Sequence, residues 1–280
     1  MQLPTSVQVT EPTPGFPVYQ VDHETCRARV ALHGAHVMEW QPSSAPNPVL
    51  YLSPAAVLQE GKAIRGGIPI CWPWFNARPG GQPGPSHGVA RSQFWDLVSV
   101  TEDADGVTFV MSLVHESLKA TATLALGDKL TVSLESENLG EESVKLSGAL
   151  HTYLKIDEIT MITVGGLAGR EYLDTVGTPT RRTQDGPVVF EGELDRIFDH
   201  SGMIRVDDPG LDRVLQIEKE GSPSTVVWNP WAEKAAGLAD LPDDAFKGFA
   251  CVEAAIANEA AVELPPGATH RLGTTVSVAS

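Results

Sequence analysis

Cysteine is scarce in this chain. Its three cysteines, Cys26, Cys71 and Cys251, form no CxxC pair and stand among apolar neighbours, so reduced core residues are expected rather than a disulfide framework. No run of 18 apolar residues occurs, which excludes a helical membrane span. Positive charge is also short: 20 Lys and Arg against 36 Asp and Glu give a formal charge of -16, which argues against nucleic acid or an anionic membrane surface as partner. The opening MQLPTSVQVT has neither a basic region nor an apolar core, so no secretory signal is expected and a cytoplasmic location is. Familiar catalytic signatures are missing as well. There is no GxSxG elbow, no P-loop and no GxGxxG, and neither Cys71 nor Cys251 has an evident activating base. Proton transfer without a cofactor or metal is the chemistry that remains.

What is present suffices for a large core, since 42% of the 280 residues are apolar, and no repeat, low-complexity tract or linker divides residues 1–280. Apolar residues alternate at Val107, Phe109, Met111 and Leu113, at Leu124 and Leu126, and at Leu130, Val132 and Leu134 beyond a Gly127-Asp128 turn. This is the period of antiparallel hairpins with one wet face. Cys26 to Trp40 reads as two short strands bent at Gly34, after a segment broken by Pro12, Pro14 and Pro17. Pro54 to Gly61 reads as a short helical turn, Met161 to Asp195 as turn-rich chain, and Asp207-Asp208-Pro209-Gly210 as a surface turn. Further strands fall near Val214 to Ile217, at Thr225 to Trp228 and at the C-terminus.

Candidate chemistry gathers around the stretch from Ala63 to Asp96, where glycines, prolines and tryptophans suit an ordered loop system better than any regular element. Arg65 precedes Gly66-Gly67, whose missing Cβ atoms would let a ligand approach the backbone. His87-Gly88 lies shortly before Arg91. In the strand read over Val144 to Ile156, His151 shares one parity with Tyr153, away from the aliphatic face. Asp195 sits between apolar Leu194 and Ile197. Glu253 lies inside FACVEAAIA, where an unpaired carboxylate would cost several kcal/mol, roughly, to bury. A histidine and a carboxylate are the usual pair for acid and base work, and arginines bind anions by forked hydrogen bonds. His33 and His36 are better suited to packing or supporting hydrogen bonds than to a metal, the acidic loop Asp240 to Asp244 reads as a solvated face, and Lys234 as either a surface lysine or an addition to an anion site. Of Trp72, Trp74, Phe75, Trp228 and Trp231, one or two at most are expected to touch a ligand.

The segments IRGGIPICWPWF, HGVAR, ALHTYLKI, ELDRIF, VVWNPW and CVEAA, in this order, resemble the hexose-6-phosphate mutarotase branch of the aldose 1-epimerase family. The resemblance runs from about Cys26 to the end. It implies an all-β fold, a large antiparallel β-sandwich of the galactose mutarotase type with a few short helices, in one domain over 1–280. It also implies interconversion of the anomers of a hexose 6-phosphate, glucose 6-phosphate first among them. On this resemblance His151 would be the general acid at the ring oxygen and Glu253 the general base at the anomeric hydroxyl. His87 would be a second histidine near the ring oxygen, Asp195 would hold sugar hydroxyls, and Arg65 and Arg91 would grip the phosphate. The partner is then a small-molecule sugar phosphate and the protein a monomer or weak homodimer. Val89 and Ser86 depart from the usual pattern at the phosphate end. A sugar-phosphate-binding protein without catalysis, a mutarotase of free aldoses, and a glycoside hydrolase using Asp195 and Glu253 are the competing readings.

Overall fold

The alternating runs pair as hairpins in the computed structural model, which describes residues 2–279. Gly106–His115, Leu118–Gly127 and Leu130–Asn138 form consecutive antiparallel strands. Along Gly106–His115 the buried side chains are those of Val107, Phe109, Met111 and Leu113, as the two-residue period requires. Asp96–Asp103 closes one edge of this eight-stranded sheet, and Thr269–Ala279, Arg213–Glu220, Ile204–Asp208 and Thr163–Gly165 complete it on the other side.

A second eight-stranded sheet is made of shorter pieces. Its order runs Thr180–Thr183, Glu171–Asp174, Leu194–Asp199, Ser224–Asn229, Phe249–Ile256, Gly148–Leu150 and Ile70–Cys71, with Tyr153–Lys155 also paired to Phe249–Ile256. Phe249–Ile256 is buried along its whole length, so both of its faces are covered and its pattern shows no alternation. The two sheets pack as a sandwich, pinned in places by polar links such as the Trp72 indole donating to the Ser136 hydroxyl at 3.0 Å. A four-stranded sheet, Val7–Thr13, Phe16–Asp22, Cys26–Ala31 and His36–Pro42, flanks this sandwich. Its Trp40 indole donates to the Gly127 carbonyl at 3.0 Å. The expected all-β architecture holds, with one α-helix, Trp231–Ala236, and five single-turn 3-10 helices among the described residues.

Several local expectations are corrected. Pro12 and Pro17 do not break the N-terminal segment but sit within two paired strands, the first of them an edge strand, where a missing N–H costs no ladder bond. Pro54–Gly61 makes turns, closed by Ala56 N–H to Ser53 O and Lys62 N–H to Gln59 O, and no helix. The region 161–195 is turn-rich as expected, but within it run the short strands Thr163–Gly165, Glu171–Asp174 and Thr180–Thr183. Asp208 is buried and faces the Arg213 guanidinium at 3.6 Å instead of lying in a surface turn. Val144 to Ile156 is not one strand: it divides into Val144–Leu146, Gly148–Leu150 and Tyr153–Lys155.

Candidate active site

The last of those interruptions creates the site. Leu150 faces Ala254 and Tyr153 faces Cys251 across the ladder, so the same register sets His151 opposite Glu253. Directly opposed residues of an antiparallel pair project to the same side with Cβ atoms about 5 Å apart. His151 Nε2 accordingly lies 3.3 Å from Glu253 Oε1, with side-chain exposures of 10% and 1%. Two residues remote in sequence therefore meet because strand pairing fixes them there. His151 is held from behind by its N–H to Pro69 O at 3.0 Å, and Val252 N–H donates to Thr152 O at 3.1 Å.

The same face collects the other candidates. Asp195 is paired with Trp228, Trp228 with Cys251 and Cys251 with Tyr153, which forms a second row beside that of Glu253 and His151. Trp228 stands edge-on to the His151 ring at 5.6 Å, whereas Tyr153 stacks on it at 4.8 Å and 13°. Of the other aromatics, Trp72 and Trp74 are buried core, Phe75 packs edge-on against His87, and half-buried Trp231 packs on Phe246.

The loops from the stretch 63–96 supply the cations. Arg65 donates from Nε to Asp240 Oδ1 at 3.2 Å and from Nη1 to the Tyr153 hydroxyl at 3.0 Å. Asp240 is thus no solvated bystander but the carboxylate partner of Arg65. The adjacent glycines serve the fold rather than a ligand: a Cβ at Gly67 would run into the Val37 carbonyl, and one at Gly66 into the backbone of Tyr51 and Leu52. His36 supports the same turn, with Nε2 2.8 Å from Gly66 O; His33 packs between Phe16 and Phe94. Arg91 has only a backbone partner, donating to Ser86 O at 3.0 Å, and no carboxylate among the described residues. The charges of both arginines act on His87, His151 and Tyr153. Lys234 does not join them and pairs with Glu193 at 2.8 Å.

His87 adopts a left-handed backbone, φ 64°, before Gly88, where a Cβ would strike the Trp72 carbonyl. Its Nδ1 accepts from the Asn76 N–H at 3.3 Å, which leaves the proton of the neutral ring on Nε2, 6.2 Å between ring centroids from His151. Burial, then Arg91 and Arg65, lowers the His87 pKa to about 3. Burial likewise pushes His151 well below its ordinary value, assisted by His87 and both arginines. Glu253 moves the opposite way: burial and then Asp195 raise it well above the usual carboxylate range, against the opposing pull of Arg91. Asp195 is raised by burial too, with Thr175 pulling it back. A buried pair of this kind favours one shared proton over two separated charges. Cys71 and Cys251, pushed up by burial, are core thiols.

Sequence reasoning thus named the residues that converge, and missed two that support them. Tyr153 carried a signal, its shared parity with His151. Asp240 carried none, because its partner lies 175 residues away.

Known proteins resemble this chain over most of its length. The profile of the aldose 1-epimerase family matches residues 17–277. A protein of Escherichia coli (strain K12) provisionally named glucose-6-phosphate 1-epimerase is 36% identical over 251 residues, 85% of this chain and 83% of its own. One of Cenchrus ciliaris with the same provisional name is 32% identical over 266 residues, 88% of this chain and 79% of its own. The crystal structure of a provisionally named mutarotase from Salmonella typhimurium superposes with a TM-score of 0.91 at 29% identity, covering 100% of this chain and 95% of that one. A galactose mutarotase-like protein from Clostridium acetobutylicum shares the fold, with a TM-score of 0.74 at 13% identity over 98% of both chains. With the family profile spanning nearly its whole length and relatives above 30% identity covering most of both sequences, this chain belongs to the aldose 1-epimerase family.

Proposed function

We propose that the protein interconverts the α and β anomers of a hexose 6-phosphate, with His151 and Glu253 exchanging protons at the anomeric centre. Arg65 and Arg91 receive the phosphate, and His87 and Asp195 hold the sugar. The observation that carries this reading is the buried, directly opposed pair at 3.3 Å. Opening a pyranose requires a proton to leave O1 and another to reach O5. Both oxygens are bonded to the same carbon, so acid and base must stand side by side.

The pair needs one proton. With it on His151 Nε2 and the Glu253 carboxylate free, Glu253 takes the O1 proton while His151 protonates O5. The C1–O5 bond breaks, leaving an aldehyde. Imidazole and carboxylic acid are then both neutral, the combination that burial favours. Rotation about C1–C2 presents the other carbonyl face. Glu253 then returns its proton to O1, His151 takes one from the O5 hydroxyl, and the ring closes as the other anomer. Each transfer by a positioned group contributes about 10² to 10⁴ in rate.

Support for the phosphate comes from Arg91, a cation without a carboxylate partner among the described residues, in a chain whose formal charge is -16. Guanidinium groups match a phosphate by forked hydrogen bonds. On the same reading residues 1–280 act as one unit, as a monomer or weak homodimer in the cytoplasm. The main apolar core, which runs from Val7 to Val276, and three free buried thiols support this.

The test is exchange spectroscopy by NMR on glucose 6-phosphate and on glucose. Wild type is expected to accelerate exchange of the phosphorylated sugar strongly. Arg91→Ala should raise KM for it by about 10-fold or more, the worth of a charge-assisted hydrogen bond, and leave free glucose unaffected. No acceleration by wild type would end the proposal.

A further inference from the structure

Tyr153 touches both halves of this site. Its ring lies 4.8 Å from the His151 imidazole and nearly parallel to it, at 13°, while its hydroxyl accepts from Arg65 Nη1 at 3.0 Å. Trp228 at 6.0 Å and Phe249 at 5.2 Å hold the ring on other sides, and its N–H donates to Gly67 O at 2.9 Å, tying it to the turn that carries Arg65. It is 2% exposed. Phenylalanine would fill that volume equally well, so packing alone does not account for the hydroxyl. Asp240 and Tyr153 secure two of the three guanidinium nitrogens of Arg65, and Nη2 is left without a protein partner among the described residues.

We propose that Tyr153 is a positioning residue that fixes Arg65 for the phosphate and His151 for the anomeric centre, so that both ends of the substrate are held in register. This rests on the function proposed above. The hydroxyl orients the guanidinium and lowers the ordering cost that phosphate binding would otherwise meet. The ring face keeps the imidazole from turning away from O5.

Two substitutions separate these duties. In Tyr153→Phe the ring stays and the tie to Arg65 is lost. KM and the calorimetric Kd for glucose 6-phosphate should rise about 3- to 10-fold, with kcat falling far less than KM rises. In Tyr153→Leu the stack is lost as well, and kcat per folded molecule should fall about 10-fold or more. Tyr153→Phe with wild-type KM and Kd, or Tyr153→Leu with reduced melting temperature but wild-type kcat and KM, would overturn the proposal and leave Tyr153 a core residue. If wild type binds glucose 6-phosphate without exchanging its anomers, the catalytic reading fails instead. The hydroxyl tie is then decided by the ratio of the two binding constants, unity overturning it.

Discussion

The two eight-stranded sheets obey different rules. In the sheet that contains Gly106–His115, Leu118–Gly127 and Leu130–Asn138, these three strands are 9–10 residues long and their inward residues are apolar apart from Ser136 and Asn138. In the other, strands run from two to eight residues and the face away from the core carries His151, Tyr153, Asp195, Trp228 and Glu253. The first sheet supplies apolar burial, at about 25 cal/mol per Å² removed from water. The second holds a carboxylate that is 1% exposed and an imidazole that has no hydrogen-bond partner at Nδ1 among the described residues, an arrangement that costs stability. Regularity is kept where nothing but folding is asked of the chain, and given up where polar groups must be held dry and close.

The contrast can be sharpened by mutating one sheet at a time. The largest effect on stability should come from the regular sheet: Leu124→Ala, at a fully buried position, should lower unfolding free energy by about 2–5 kcal/mol. Its kcat per folded molecule should not change, as measured by denaturant titration and by turnover on the same samples. A large loss of turnover there would break the division of labour.

In the other sheet the signature is in pH. Glu253 is raised and His151 lowered, so the one-proton state of the pair spans a wider range than the ordinary values of 4.5 and 6.5 would allow. The kcat/KM profile, which reports the free enzyme, should be flat through neutrality. It should fall about tenfold per pH unit on the acid side, once a second proton is bound, and again at alkaline pH, once the last is lost. A narrow optimum between the two ordinary values would contradict the shared proton.

The smallest effect is on stability in this same sheet, and its sign is the informative part. Because the Glu253 pKa is higher in the folded state than in the unfolded chain, the stability this contributes is present at low pH. It is lost as pH rises through the folded value. Glutamine does not ionise and escapes that loss. Glu253→Gln should therefore melt above wild type, by about 2 °C or more, at alkaline pH, and show no such advantage in acid. A lower melting temperature at alkaline pH would mean that the carboxylate is a structural asset.

The same contrast explains what was legible in the chain. Val107 through Leu134 announce their strands because one face is wet and the other dry. Thr180–Thr183, exposed throughout, has no apolar alternation to read and is a strand only through its neighbour. Phe249–Ile256, dry on both faces, has none either, yet that uniformity made Glu253 conspicuous. His151 was legible by parity within ALHTYLKI, though its meeting with Glu253 depends on a register that no local pattern encodes. The use of Asp240 and the crowding that Gly66 and Gly67 relieve are long-range matters: Tyr51, Val37 and Arg65 come together only after the sheets have formed.

The most direct test of the central claim is anomer exchange of glucose 6-phosphate by His151→Ala and Glu253→Gln, each verified as folded. If the opposed pair moves the two protons, each variant loses about 10² to 10⁴ of the wild-type kcat, and the double variant loses far less than the product of the two, because the residues act as a unit. Wild-type exchange in either single variant would contradict the account.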